Sequence, residues 1–386
     1  MKKSIICLLL SILMLGFVFQ GKMTIAFAKD NDVTLSKITA KSALLIDHAS
    51  GEVIYEKNSN DRLPIASMTK LATLSIVFDS ISKGLIKEND MVVVSENAAS
   101  VGGSSAFLDA GSSYKVIDLI KTVIISSAND SSVALAEFVA GSEDVFVSKM
   151  NKLAKSMNLE DTNFANCTGL PADNHYSSAH DIAKIYMSIC DNSIYQKYAK
   201  IWMDDFVHPS GRKTELVNTN RLVKTFDGIE GGKTGYTDSA KFCLTASAKR
   251  GGMRLVGVVI GVSDSKTRFA EMSKMFSFGF ANYQSKNIVN KDVAVTIFNF
   301  KNSKQVVEIY PEKSYSKFMS KTDDAVFTTD FQINELKAPI TAGNKVGKLF
   351  VFDKNNMVIE EIDLIVNEDV NEVGFKESLR KMINAW

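Results

Sequence analysis

A serine and a lysine three residues apart, Ser67 and Lys70, form the first pair in this sequence whose residue types could perform chemistry. Pro64 marks a turn before them, and the apolar residues 71–81 behind them have helical spacing, which predicts the pair at a helix start. Residues three apart on a helix share a face. An amine that is neutral part of the time can take a proton from a hydroxyl, so Ser67 is a candidate nucleophile and Lys70 its base. From this fragment alone, an N-cap serine beside a solvent-facing lysine is the alternative.

Two other short motifs carry polar groups that suit the end of a peptide. The sequence S-A-N at residues 127–129 falls in a polar turn between two segments of helical spacing. The sequence K-T-G at residues 233–235 lies on a predicted strand with glycines around it. Glycine leaves the strand backbone open to a ligand, while the lysine and threonine offer a cation and a hydroxyl to a carboxylate. Each motif is a weak signal in isolation.

The spacing of apolar residues predicts an α+β domain that positions these motifs. Residues 43–47 and 53–55 are predicted to form one strand hairpin, and residues 242–248 and 253–261 another. We expect strands of both hairpins to share one antiparallel sheet with helices packed on it. The small residues 98–105 are predicted to form a surface loop. Helical spacing recurs at residues 116–124, 133–139, 145–157, 179–189 and 266–283.

Beyond residue 287 the sequence changes to short alternating strands separated by turns. They are predicted at residues 293–297, 306–310, 325–327, 346–352 and 357–366. This pattern indicates a separate all-β domain over residues 287–366. In the remaining tail, residues 367–386, apolar side chains from Phe375 to Trp386 recur at helical spacing with basic residues beside them. Such an amphipathic helix could lie in a membrane interface or pack on the β domain.

The first 28 residues have the pattern of a secretory signal peptide. Lys2 and Lys3 precede an apolar run, and the small residues Ala26 and Ala28 define a cleavage site. An uncleaved membrane anchor is the alternative, although the run is short for a span. Cleavage would remove three lysines and no acid, which changes the formal net charge from +1 to −2. Without a basic surplus, nothing in the sequence indicates nucleic-acid binding.

The cysteines and histidines do not have the spacing of a metal site or a disulfide framework. Residues 29–386 contain Cys167, Cys190 and Cys243, an odd and sparse set for an exported protein. We expect most of them to be buried free thiols, with one disulfide as the open alternative. His175 and His180 are five apart, which is off the helical spacing that would place two ligands on one face. We therefore expect neither a metal nor another cofactor.

Taken together, the three motifs give a specific resemblance. S-x-x-K, S-D-N and K-T-G are the signature of penicillin-binding proteins and class A β-lactamases, and this chain carries the first and third intact with an S-x-N version of the second. The sequence resembles the serine D-alanyl-D-alanine carboxypeptidases, the low-molecular-mass penicillin-binding proteins of peptidase type S11. The likeness is close over residues 42–283. It implies a penicillin-binding-protein/β-lactamase-like transpeptidase domain over residues 29–284, followed more loosely by the β domain and the tail.

The resemblance also implies a reaction and a role for each residue. The substrate would be a peptidoglycan stem peptide ending in D-Ala-D-Ala, and β-lactams would be covalent inhibitors. Ser67 would be acylated as the terminal D-Ala leaves, Lys70 would take its proton, and Ser127 would relay a proton to the leaving amine. The backbone N–H groups of Ser67 and Tyr236 would form the oxyanion hole. Substrate-binding residues would be Asn129, Lys233, Thr234, Gly235, Tyr236 and, less firmly tied to the motifs, Arg268.

In this family the tail holds the enzyme at the outer face of the cytoplasmic membrane, which favours the membrane interpretation of residues 367–386. Two departures stand out: Tyr236 occupies a position where some members have histidine, and the segment before K-T-G is longer than usual. For that reason no role is assigned to residues 218–221.

Other functions use parts of the same signature. A class A β-lactamase needs a deacylating glutamate in an E-x-x-L-N-type loop, and residues 160–163 lack that pattern. An endopeptidase acting on peptide cross-links would keep every catalytic residue, so the sequence leaves it open. A penicillin-sensing receptor is normally joined to a transmembrane transducer, and the sequence offers no apolar span after the signal. A non-enzymatic wall-binding protein would not need all three motifs.

Overall fold

The protein is described by a computed structural model over residues 38–299 and 305–372. In the first domain the strands are β1 (Ser42–Asp47), β2 (Val53–Lys57), β3 (Met91–Val93), β4 (Ser113–Lys115), β5 (Met203–Val207), β6 (Lys213–Val217), β7 (Ile229–Thr237), β8 (Lys241–Arg250) and β9 (Met253–Val262). The helices are α1 (Lys70–Ser82), α2 (Glu96–Ser100), α3 (Val116–Ile125), α4 (Asn129–Ala140), α5 (Glu143–Ser156), α6 (Ala179–Ile189), α7 (Ser193–Ala199), α8 (Leu222–Thr225) and α9 (Ser265–Asn282).

A five-stranded antiparallel sheet in the order β2-β1-β9-β8-β7 forms the centre of this domain. Side chains of a strand point alternately to opposite faces. On one face, Val256 and Val258 of β9 join the core of the helices that include α1, α4 and α6. On the other face, Leu255 contacts Gly279 of α9, and Gly257 allows α9 to approach closely. Because both faces are covered by helices, β9 is an almost continuous apolar run, and β7 with its K-T-G sequence lies at the sheet edge.

The predicted α+β fold is confirmed, and its elements differ from the prediction in two places near the motifs. Both hairpins form, and the pairing of β1 with β9 joins them into one sheet. The helix start at Ser67 is a 3-10 turn over Ala66–Thr69, and α1 proper begins at Lys70. The predicted surface loop at 98–105 is wrong at its beginning, because Ser95 caps α2 through its hydroxyl and Ala98 is fully buried.

The all-β domain contains β10 (Tyr283–Val289), β11 (Thr296–Asn299), β12 (Val306–Pro311), β13 (Tyr315–Ser320), β14 (Thr328–Ile333), β15 (Lys345–Phe352) and β16 (Val358–Val366). Five of these strands form a sheet in the order β11-β12-β16-β15-β14, and β10 pairs with β13. The strand predicted at residues 325–327 is absent, because the extended segment begins at Thr328. Alternating residues such as Val307, Ile309 and Leu364 form the core.

The β domain reaches beyond both boundaries that the sequence suggests. Strand β10 begins at Tyr283, inside the predicted catalytic domain. Val370, which the sequence assigns to the tail, is buried in the β-domain core and pairs with Ile340 through two backbone hydrogen bonds. The predicted signal peptide and most of the predicted amphipathic tail lie outside the described residues. Within residues 38–299 and 305–372, no helix has both the length and the apolar character required to cross a bilayer.

Candidate active site

Ser67 is held on its 3-10 turn between two glycines. A Cβ atom on Gly235 of β7 would lie 2.6 Å from the carbonyl oxygen of Ile65 and 3.3 Å from the backbone nitrogen of Ser67. A Cβ on Gly169 would collide with the carbonyl group of Ala66, and the φ of +83° at Gly169 also favours glycine. The turn can therefore pack directly on both backbones. Ser67 itself is half-buried, so its hydroxyl remains accessible while its backbone is fixed.

Lys70 is fully buried, and its Nζ contacts three oxygens. It lies 3.0 Å from Ser67 Oγ, 2.6 Å from Asn129 Oδ1 and 2.6 Å from the carbonyl oxygen of Thr168. The amide and carbonyl oxygens can only accept hydrogen bonds. A neutral amine has two N–H groups and one lone pair, so the two N–H groups bind Asn129 and Thr168 and the lone pair faces Ser67. The alternative of a solvent-facing lysine is wrong.

Burial also adjusts the proton affinity of Lys70. Removal from water disfavours the ammonium form and lowers its pKa from 10.5 to about 7, against weaker opposing effects of Cys167 and Asp130. A base is most effective when its pKa lies near the working pH. Lys70 therefore has both the geometry and the protonation equilibrium that a base for Ser67 requires.

Ser127 and Lys233 form a second hydrogen-bonded pair in the same site. Lys233 is buried and donates from Nζ to Ser127 Oγ at 2.7 Å and to the carbonyl oxygen of Thr234 at 2.9 Å. Its pKa is lowered well below 10.5, first by burial and then by the positive charges of Lys70 and Arg268. Ser127 has a left-handed backbone with φ of +65°, which is uncommon for a residue other than glycine and recurs at functional sites.

The remaining K-T-G residues point towards the same edge of the sheet. Thr234 donates from its hydroxyl to Thr219 Oγ1 at 2.8 Å. Arg268 is buried rather than on the surface, and its Nη1 donates to the carbonyl oxygen of Gly235 at 3.2 Å. Burial lowers the pKa of Arg268 to about 10, which leaves it charged at neutral pH. The Tyr236 side chain is half exposed, and its hydroxyl donates to Asp238 Oδ1 at 2.9 Å.

The structure brings Ser67, Lys70, Asn129 and the pair Ser127–Lys233 into one cluster, as the sequence predicts. Their catalytic roles and the oxyanion hole remain predictions. Sequence reasoning missed three partners. The carbonyl groups of Thr168 and Gly102 hold Lys70 and the Asn129 amide, respectively, and Thr219 supplies the acceptor for Thr234. Two of these act through the backbone and leave no side-chain signal, while Thr219 lies in the segment to which no role was assigned.

Cys167, Cys190 and Cys243 are buried free thiols, as expected. His48, Cys190 and Asp191 bring possible metal ligands within 4.8 Å of one another. However, the two Asp191 oxygens already bind His48 and Arg254, and burial raises the pKa of the Cys190 thiol to about 12. A protonated thiol beside a guanidinium is a poor cation site, so we assign no metal there.

The fold and the cluster define a class of protein. An accessible serine at a helix start, a buried amine 3.0 Å from its hydroxyl, and a cationic sheet edge are the parts of a serine acyl-transfer enzyme that acts on an anionic substrate.

Comparisons with known proteins narrow this class to one family. The D-alanyl-D-alanine carboxypeptidase model of the peptidase S11 family matches residues 27–264, and the model of the penicillin-binding protein 5 C-terminal domain matches residues 283–372. The chain therefore belongs to the S11 family of D-alanyl-D-alanine carboxypeptidases.

Individual relatives match almost the whole chain. It is 40% identical to the D-alanyl-D-alanine carboxypeptidase DacF of Bacillus subtilis over 98% of both proteins. It is 34% identical to DacC of Escherichia coli over 91% of this chain and 89% of that protein. Among solved structures, penicillin binding protein 5 of Haemophilus influenzae is 31% identical with a TM-score of 0.67, covering 87% of this chain and 98% of that one.

Proposed function

We propose that this protein is a serine DD-carboxypeptidase that removes the terminal D-alanine from peptidoglycan stem pentapeptides. The observation that carries the proposal is the buried Nζ of Lys70, which lies 3.0 Å from Ser67 Oγ while Asn129 Oδ1 and the Thr168 carbonyl oxygen accept its other hydrogen bonds. Membership of the S11 family and the relatives named D-alanyl-D-alanine carboxypeptidase support the substrate.

The reaction follows from the positions of these groups. Lys70 takes the proton of Ser67 as Oγ forms a bond to the penultimate D-Ala carbonyl carbon. The bond between that carbon and the terminal nitrogen breaks, and the proton that Lys70 took is relayed to the leaving amine through Ser127, which is hydrogen-bonded to Lys233. Water then attacks the Ser67 ester and releases the shortened peptide. The terminal carboxylate binds beside Lys233 and Thr234, where its negative charge offsets the buried cation.

The same acyl transfer accounts for inhibition by β-lactams. Their strained amide would acylate Ser67 and leave an ester, because the opened ring keeps its leaving group attached. With a peptide the leaving amine departs and water can take its place beside the Ser67 ester. The opened β-lactam keeps its leaving group in that place, which favours an adduct that lasts longer than the peptide acyl-enzyme.

Release of free D-alanine from a synthetic stem pentapeptide tests the proposal. The wild-type protein should release one D-alanine per peptide, and Ser67→Ala should release none. Ser82→Ala, which removes an exposed hydroxyl at the far end of α1, is the matched control and should keep the wild-type rate. Absence of D-alanine release by the wild-type protein, with its fold verified by circular dichroism, would refute the proposal.

We further propose that the protein is exported and works at the outer face of the cytoplasmic membrane or in the cell wall. Support comes from the sequence alone: the lysine-flanked apolar segment with its cleavage site in residues 1–28, and the amphipathic pattern in residues 373–386. A chain that ends at residue 372 keeps the Val370 contacts and should leave the membrane fraction with D-alanine release unchanged. Continued sedimentation with membranes would contradict the anchor.

A further inference from the structure

A cleft of about 660 Å³ opens beside the K-T-G strand. Its volume lies within the roughly 300–1,000 Å³ typical of small-molecule sites, which is far more than one carboxylate needs. Thr219, Arg221, Lys224, Arg268 and Trp202 are among its lining residues, whereas Ser67, Lys70 and Ser127 are not. The cleft is therefore additional space next to the catalytic cluster.

The cleft is cationic and has no acidic residue in its lining. Arg221 and Lys224 are exposed, and neither they nor Arg268 forms an ion pair among the described residues. Arg268 is only 6% exposed, and its buried Nε has no hydrogen-bond partner among the described residues. The positive charge of Arg221 also disfavours the charged form of Arg268. Lys224 Nζ lies over the Trp202 ring, and Arg268 donates to backbone carbonyl groups and to Ser265 Oγ, but no carboxylate of the described residues pairs with either. Cations that face one cleft without a carboxylate partner indicate an anionic ligand.

Two contacts connect this cleft to the reaction site. Thr219, in the cleft wall, accepts the hydrogen bond from the Thr234 hydroxyl at 2.8 Å. Arg268, in the opposite element α9, donates to the carbonyl oxygen of Gly235 at 3.2 Å. In the proposed reaction the residue that leaves lies beside Lys233 and Thr234. If the leaving residue had a side chain larger than the methyl group of alanine, that side chain would extend from Lys233 and Thr234 into the cleft.

We propose that this cleft is a subsite for the side chain of the leaving residue and that Arg221 and Lys224 favour a leaving residue with a second carboxylate. This inference rests on the proposed function. The bond that breaks and the proton transfers are the same as for terminal D-alanine, and only the leaving amine belongs to a larger, acidic residue.

Three acetylated peptides that differ only in the last residue test the subsite: D-Ala-D-Ala, D-Ala-D-Gln and D-Ala-D-Glu ends. D-Gln and D-Glu match in size, so the ratio of kcat/KM for the D-Glu peptide to that for the D-Gln peptide reports the effect of the added charge alone. The wild-type protein should cleave the D-Glu peptide with a kcat/KM about tenfold above that of the D-Gln peptide, as expected for two partly solvated ion pairs. The double variant Arg221→Gln/Lys224→Gln should reduce this ratio to about one and leave D-Ala release unchanged.

A control of equal charge loss is available on α5. Lys149 and Lys152 are exposed on that helix, and Lys149→Gln/Lys152→Gln should keep the D-Glu preference. The preference should also weaken as salt is added, since exposed charges are screened. A wild-type D-Glu to D-Gln ratio of one or less, or a ratio that survives in Arg221→Gln/Lys224→Gln, would overturn the subsite while leaving the carboxypeptidase intact. Failure to cleave any of the three peptides would overturn the proposed function itself.

Discussion

At the scale of single residues, Lys70 and Lys233 are both buried and differ in what surrounds them. Lys70 faces two amide-type acceptors and the Ser67 hydroxyl, whereas Lys233 binds Ser127 and lies at the edge where an anionic substrate would bind. The positive charge of Lys70 lowers the pKa of Lys233, in addition to the larger effect of burial. A bound carboxylate would stabilise the charge on Lys233, and we infer that Lys70 then holds its neutral form. Lys70 can then act as the base while Lys233 provides the positive charge.

Replacing Lys70 by methionine tests its role as a base. Methionine keeps most of the side-chain volume and removes the lone pair, so the rate of Ser67 acylation by a β-lactam should fall by about 10²–10⁴-fold. Stopped-flow or mass-spectrometric measurement of adduct formation reports this rate. Lys83→Met, at an exposed position just after the same helix, is the matched control. An acylation rate within a few-fold of wild type in Lys70→Met would remove Lys70 from the mechanism.

The pH dependence of acylation follows from the lowered pKa of Lys70. Below a pKa of about 7 the amine is protonated and has no lone pair, so acylation should be slow. As the pH rises through about 7 the neutral fraction increases, and the rate should rise to a plateau. A lysine at its ordinary pKa would move this rise towards about pH 10.5. Acylation rates measured between about pH 5 and pH 9 distinguish the two, and a flat profile over that range contradicts a lysine base.

Most side chains of the site could be predicted from sequence because they fall in three short motifs with distinctive residue types. Thr168 and Gly102 could not, since they contribute carbonyl groups that every residue possesses. The burial of Arg268 was also hidden. The Arg268 guanidinium lies over the rings of Phe242 and Phe269. Phe242 is distant in sequence and Phe269 is the next residue, and neither carries a charge that would indicate a contact with an arginine.

At the scale of elements, the site depends on how the Ser67 turn packs against β7. Gly235 lies directly against Ile65 and the backbone of Ser67, so the distance between the nucleophile and the K-T-G strand is set by the absence of a side chain there. Asp130 of α4 fixes a neighbouring loop. Its buried carboxylate accepts hydrogen bonds from the backbone N–H groups of Ala106 and Leu108, which hold that loop against α4. These contacts join three separate stretches of the chain.

Gly235→Ala should therefore impair catalysis more than stability. The added Cβ would lie 2.6 Å from a carbonyl oxygen and force β7 away from the Ser67 turn. A misplacement of this size near the reacting atoms can reduce the rate by about 10²-fold. D-alanine release and thermal melting would be measured together.

Gly51→Ala is the control for Gly235→Ala. Gly51 has a φ of +72° but open space around it in the β1–β2 turn, so its substitution should lower stability modestly and leave the rate unchanged. Wild-type turnover in Gly235→Ala, or a rate loss of similar size in both variants, would argue against a specific effect on the Ser67 turn.

The elements of the central sheet were predictable because their apolar runs are long. Strand β5 was missed, since Asp204 and Asp205 interrupt its alternation and only Phe206 is buried. Strands β10 and β13 were missed for a related reason: they pair with each other outside the five-stranded sheet and contain many polar residues. The 3-10 turn at Ser67 depends on contacts with Gly235 and Gly169, which are distant in sequence.

At the scale of the whole molecule, the β domain includes residues on both sides of its predicted limits. Val370 is 1% exposed and pairs with Ile340 through hydrogen bonds of 3.0 and 2.8 Å. A chain ending at residue 366 loses these contacts, and one ending at residue 372 keeps them. The free energy of unfolding of the chain ending at residue 366 should be about 3 kcal/mol lower than that of the chain ending at residue 372, because it lacks one buried valine and two hydrogen bonds.

Urea denaturation followed by circular dichroism compares the two shortened chains directly. Equal stability would mean that Val370 is not part of the β-domain core. D-alanine release should be the same in both shortened chains, since the catalytic cluster is built from residues 65–268.

The proposed mechanism requires acylation of Ser67. Peptide mapping by mass spectrometry after brief exposure to penicillin tests it most directly, with heat-denatured protein as the control for nonspecific labelling. We expect one penicillin per chain, located on the peptide that contains Ser67, and no adduct in Ser67→Ala. An adduct on any other residue, or one retained in Ser67→Ala, would contradict it.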